Sequence, residues 1–177
     1  MFPKKTPLPI FLTRLTGTWT TSAGAYVKIS FDQVCIDTAG WWDRVNARYI
    51  VRLPGYYMFH ASLSHVYADA AANVIVTNIY KNGAAIVQAN QQSPSYDGAN
   101  CNTTSTISTF QLAVSGDYFE IYGYSSVTAT SAASPSQNYM TGRYIAAAPA
   151  NAATAKISVG TPGWGTNFSK VKKVQPF

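Results

Sequence analysis

The chain is 177 residues long with a formal net charge of +6, yet only 11% of its residues are charged while 14% are aromatic. That length allows one domain with a real core plus some trailing chain, and low charge with many tyrosines and β-branched residues suits all-β structure with extensive contact surfaces. The positive excess gathers at the ends, in Lys4, Lys5 and Arg14 and in Lys170, Lys172 and Lys173, which speaks for basic tails on a nearly neutral body and against a nucleic-acid partner.

In chain order, residues 1–24 read as an N-terminal arm punctuated by Pro, Thr and Gly, with one apolar cluster at Ile10, Phe11, Leu12 and Leu15; Phe11 is its expected anchor. Pro7, Pro9 and Arg14 interrupt the apolar run, so it does not read as a secretion signal. No stretch approaches the length of a membrane span, and no membrane insertion is expected.

Residues 25–147 carry the candidate strands: 26–31, 34–37, 47–53, 56–65, 73–81, 85–91, 104–114, 118–125 and 139–147. Pro54-Gly55, Asn82-Gly83 and Ser115-Gly116-Asp117 separate them. Asn82-Gly83 is the strongest turn signal, because a type I′ hairpin needs positive φ at both central residues. Cys35 reads as a small buried strand residue and Cys101 as a loop residue, with a bridge between them as the alternative. Trp41 and Trp42 between short strands are expected to be structural, sealing an end of the sandwich or a protomer boundary. Many short strands with regular turns mean a sandwich or barrel.

The strand at 56–65 alternates in period two. Tyr57, Phe59, Ala61 and Leu63 fall on one face, Tyr56, Met58, His60 and Ser62 on the other. A strand apolar on one face and aromatic-polar on the other needs two different surfaces to cover it, which points to an assembling β-sandwich.

Four patches carry a resemblance. Gly55-x-Tyr57-x-Phe59, then Asn82-Gly83, then Phe110-Gln111-Leu112 followed by Gly116-Asp117-x-Phe119-x-Ile121, and finally Thr141-Gly142-x-Tyr144-Ile145 occur in this order. Together they resemble the jelly-roll family shared by the complement first-component globular head and the tumour necrosis factor superfamily, in the versions found in bacteriophage virion proteins. The interval from Leu112 to Gly116 looks one residue longer than in the family, so a bulge or wider turn is expected near 113–115. The resemblance implies a jelly-roll β-sandwich of two antiparallel sheets over 25–147, assembled as a compact homotrimer. Carried over by position, it places Met58, His60, Ile107, Met140 and Tyr144 at the three-fold axis, and Tyr57, Phe59, Phe110, Leu112, Phe119 and Ile121 in the core.

Chemistry finds little support. His60 and His65, the only histidines, point to opposite faces and cannot share a metal within one protomer; a hydrogen-bonded interface role is favoured for His60. Asp32, Asp37 and Asp43 read as solvated turn carboxylates rather than calcium ligands. No nucleophile elbow, flanking carboxylate pair or phosphate loop appears, so no enzyme, metal or cofactor is expected. Tyr118, Tyr122 and Tyr124 share one strand face, with Tyr80 on a neighbour; they could stack sugars or grip a receptor, but cover by an arm or a neighbouring subunit is preferred.

Residues 148–177 read as a C-terminal arm, with Trp164, Phe168 and Phe177 as aromatic anchors around a basic run. The expectation is a virion structural protein made in the host cytoplasm: a trimeric capsid decoration or cement protein bound to the major capsid protein or another virion component. The alternative is a receptor-binding module of a tail or head fibre that recognises host carbohydrate through loops at 91–103 or 125–137.

Overall fold

The computed structural model describes residues 8–67, 73–93 and 101–148. The anchors Trp164, Phe168 and Phe177 and almost all of the expected C-terminal arm lie outside them, as does the middle of the loop at 91–103. The strands are β1 (Ile10–Arg14), β2 (Thr20–Thr21), β3 (Ala25–Lys28), β4 (Gln33–Asp37), β5 (Trp42–Asp43), β6 (Arg48–Ile50) and β7 (Gly55–Tyr67). They continue with β8 (Asn73–Lys81), β9 (Ala84–Ser93), β10 (Cys101–Ala113), β11 (Tyr118–Ser125), β12 (Ala129–Thr130) and β13 (Tyr139–Ala146).

These strands form two antiparallel sheets between which the chain passes repeatedly. The first runs β2-β12-β7-β13-β1-β4, with β10 along the other edge of β7; the second runs β5-β6-β11-β8-β9, with β3 beside β11. All nine expected strands are present, two of them at the expected bounds, 73–81 and 118–125. The hairpin between β8 and β9 turns on Asn82 at φ 53° and Gly83 at φ 80°, both in the left-handed region that a type I′ turn requires. The wider turn expected near 113–115 is a tight turn in which the Asp117 amide donates to the Val114 carbonyl. The register of β10 against β7 is unbroken there, and the strands flanking this turn lie in different sheets rather than pairing with each other.

Three expectations need correction. Residues 1–24 are not wholly an arm: β1 sits inside the first sheet, paired to β13 on one edge and β4 on the other. Phe11 is therefore a core residue with no exposed surface, not a free anchor. The prolines before it suggested irregular chain, but they end where the alternation of Phe11, Thr13 and Leu15 turns every second side chain inward. Cys35 is exposed on the edge strand β4, with a free thiol, rather than buried.

The core is aromatic, and its rings bridge the sheets. Phe11 of β1 stacks on Tyr49 of β6 with centroids 4.0 Å apart, and Phe59 of β7 stacks on Phe119 of β11, also at 4.0 Å. Each pair joins one sheet to the other, and such pairs contribute about 0.5–1.5 kcal/mol beyond their burial. Gly142 on β13 lies opposite both Phe11 and Phe59, and a methyl group there would come within 2.5 Å of the Phe11 ring and 2.7 Å of the Phe59 ring. Trp41 and Trp42 are half-buried against this cluster, with the Trp42 ring 6.0 Å from Phe11. The Gly116-Asp117 turn is tied to the neighbouring hairpin between β8 and β9. The Asp117 carboxylate accepts from Asn82 Nδ2 at 2.7 Å, from the Val114 amide at 2.9 Å and pairs with Lys81 at 2.8 Å. Burial works to raise its pKa, but these bonds and the lysine charge outweigh it and hold the carboxyl below its usual range.

His65 lies at the other end of the sandwich, fully buried on the core face of β7 and edge-on to Trp19 with centroids 4.8 Å apart. Neither ring nitrogen makes a hydrogen bond. Burial depresses its pKa to about 4; the nearby carbonyls of Leu63 and Tyr124 oppose this only in part, neither reaching hydrogen-bonding geometry.

Two outcomes are expected. Gly142→Ala should lower stability by about 1–3 kcal/mol, because neither phenylalanine can retreat without breaking its stack; an unchanged urea midpoint would contradict the close approach. As pH falls from about 6.5 towards about 4, the unfolded chain takes up a proton that folded His65 refuses. Stability present above that window is therefore lost through it, by up to about 3 kcal/mol. His65→Gln should remove most of that loss, measured as the difference between urea midpoints at about pH 7 and about pH 4.5.

Candidate functional site

Residues directly opposite one another on paired strands share a face of the sheet, so the register assigns every candidate. Ile107 and Met140 both lie opposite Ala61, and Tyr144 lies opposite Tyr57. All three therefore belong to the core face and not to an external axis. Met140 is fully buried and Ile107 is 6% exposed, while the Tyr144 ring packs edge-on to Tyr57. Phe110 and Leu112, expected in the core, lie opposite Met58 and Tyr56 and face outward. Tyr57, Phe59, Phe119 and Ile121 are core residues as expected.

The outer face of the first sheet is thus built from different residues than the sequence suggested. One row across it reads Phe110, Met58, Arg143 and Ile10; the next reads Ser108, His60, Thr141, Leu12 and Ile36. Phe110 is 68% exposed, and Ile10, Ile36 and Tyr56 are exposed as well. A depression of about 280 Å³ opens between Met58, His60, Ile10 and Arg143. At its rim His60 is held on both sides, Nδ1 by Ser108 Oγ at 2.7 Å and Nε2 by the Tyr139 hydroxyl at 2.9 Å. Partial burial lowers its pKa and favours the neutral ring.

The second sheet presents a different outer face. Tyr80 and Tyr122 pack ring to ring at 4.1 Å, and Tyr26 and Tyr124 at 4.8 Å. Tyr118 lies under the Arg48 guanidinium at 4.6 Å. Lys28 pairs with Glu120 on the same face, and Arg48 with Asp43. The tyrosines singled out from sequence do gather here; the arginine over Tyr118 and the contribution of Tyr26 from β3 were not foreseen, because only strand pairing brings them alongside.

The remaining candidates do not converge. Asp32 accepts from Thr16 and ties the chain after β1 to the chain before β4, while Asp37 accepts from the amides of Gly40 and Trp42 and Asp43 from Asn46 and Arg48, each closing its own turn. Among the described residues no three His, Cys, Asp or Glu side chains come together as a metal cage.

No protein-family model matches the chain, and no curated protein matches it in sequence. Solved structures do match in shape. The Eiger TNF of S. frugiperda is 15% identical with a TM-score of 0.62, over 81% of this chain and 96% of that one. Murine APRIL at pH 5.0 is 11% identical with a TM-score of 0.56, over 78% of this chain and all of the other. The globular domain of zebrafish complement 1qA is 10% identical with a TM-score of 0.50, over 80% of this chain. With its two antiparallel sheets and the aromatic stacks between them, the chain has the jelly-roll fold of the tumour necrosis factor and complement first-component head family.

Proposed function

We propose that the chain is a non-catalytic binding head that assembles as a homotrimer through the outer face of its first sheet. We propose further that it serves as a structural protein of a bacteriophage virion, a capsid decoration or cement protein. The observation that carries the assembly is Phe110, 68% exposed beside Met58 and Leu112 on a face that no described element covers. Fully burying one such side chain contributes about 1.5–3 kcal/mol, and a symmetric contact repeats the gain at every protomer. A non-catalytic role is supported by the two histidines, one sealed in the core and the other held between a serine and a tyrosine. The virion reading is supported by the nearly neutral, contact-rich body, the basic ends of the sequence and the resemblance to bacteriophage versions of the fold.

Light scattering should give three times the 19.1 kDa chain mass. Phe110→Asp should leave each protomer folded, because the ring lies outside the core, while breaking the assembly: three unpaired carboxylates in an apolar contact cost several kcal/mol. A parent protein that is monomeric at micromolar concentration, or a Phe110→Asp variant that stays trimeric, contradicts the proposed face. Immunogold labelling of particles tests the virion role. A lattice of label over the head supports decoration, and label confined to the tail or to one vertex excludes it.

A further inference from the structure

The outer face of the second sheet holds a buried amide that nothing among the described residues satisfies. Asn78 alternates with the core residues Thr77 and Ile79 on β8 and so points to the outer side, yet it is only 1% exposed. Both its Nδ2 and its Oδ1 lack a hydrogen-bond partner. Across the sheet it lies directly opposite Tyr122 on β11 and Gln88 on β9. Along its own strand it sits between Tyr80, which packs on Tyr122, and Val76, which lies opposite Tyr124. An enclosed amide with no partner is costly, because both its donor and its acceptor have given up water for nothing. A group kept at such a cost in the middle of an aromatic platform calls for a ligand that can use it.

The chemistry of the surroundings selects the ligand. Stacked tyrosines offer flat faces with polar edges. Gln88, Asn90 and Gln92 share this side of β9, and all three are exposed. The charges of the face are already matched, Lys28 to Glu120 and Arg48 to Asp43. An ionic partner would have to break these pairs, whereas a neutral hydroxylated ring needs only aromatic faces and amides. Successive same-side residues on a strand are about 7 Å apart, so the interval from Tyr80 to Val76 around Asn78 spans about 14 Å, room for more than one sugar ring.

We propose that this face is a carbohydrate-binding platform for a neutral glycan. The sugar parts the Tyr80–Tyr122 pair, stacks on both rings, and takes the Asn78 amide opposite Tyr122 with two neighbouring hydroxyls, one accepting from Nδ2 and one donating to Oδ1. Gln88 and Asn90 extend the contact along β9. The site lies on the opposite side of the protomer from the assembly face and does not depend on the trimer.

The test is calorimetric titration of the full-length protein with linear neutral hexasaccharides of β-1,4-glucose, α-1,4-glucose and β-1,4-galactose, with an α-1,4-galacturonate hexasaccharide as the charged control. At least one neutral probe should bind, and the acidic one should bind at least about tenfold more weakly. Tyr122→Ala should weaken binding at least about tenfold with the oligomer mass unchanged. Asn78→Leu separates a binding role from a structural one. Removing an unsatisfied amide should raise the melting temperature, and in the same variant sugar affinity should fall at least about tenfold. Overturning results are no binding of any neutral probe by the parent, Asn78→Leu binding as the parent does, or Tyr122→Ala changing the oligomer mass, which would make the face a contact between copies.

Discussion

Stacking of aromatic rings between the two sheets holds this sandwich in register. Phe11 on Tyr49 and Phe59 on Phe119 each bridge the layers at 4.0 Å, and Gly142 supplies the gap in the first sheet that lets the two phenylalanines lie side by side. Such a core leaves little room for slippage. Sliding β13 by one residue along β7 would put a side chain where Gly142 now sits and turn Met140 out to water. The same arrangement explains why a five-residue strand near the start of the chain is indispensable: without β1 there is no Phe11 to meet Tyr49.

With the aromatic interior settled, the two external faces are free to differ. The first sheet turns out Phe110, Met58, Ile10 and Leu12, an apolar surface with Arg14, Arg143 and a clasped histidine. The second turns out paired tyrosines, amides and internally matched charges. Apolar area gains most by excluding water against another apolar surface, while a neutral face of tyrosines and amides tolerates water and can bind a hydroxylated partner. The two faces therefore differ in chemistry, one largely apolar and the other aromatic and polar, a difference that a two-layer sandwich permits because its layers communicate only through the core.

Polar groups inside the fold fall into two kinds. Asn138 is fully buried yet satisfied, its amide donating to Ser64 and the Ala132 carbonyl and its oxygen accepting from the Ser64 amide, so it closes the loop before β13. His65 and Asn78 are equally enclosed and have no hydrogen bonds. The first kind organises the backbone; the second lowers stability and becomes intelligible through what it makes possible, sensitivity to acid at His65 and a reserve of hydrogen bonding at Asn78.

Local signals in the sequence determined most of the architecture. Period-two alternation located the long strands, Asn82-Gly83 located the hairpin through its need for positive φ, and the alternation around Tyr57 and Phe59 separated a core side from an outer side of β7. These are short-range properties of the chain, so they can be read without knowing what lies alongside. Pairing is not short-range. Whether Met140 and Ile107 faced the core or the outside, and whether Phe110 did, depended on their register against β7, and the sequence alone assigned these wrongly. Only the folded structure placed Phe11 in the interior, set Tyr26 beside Tyr124, and left Asn78 enclosed without a partner, because each follows from contacts between residues far apart in the chain.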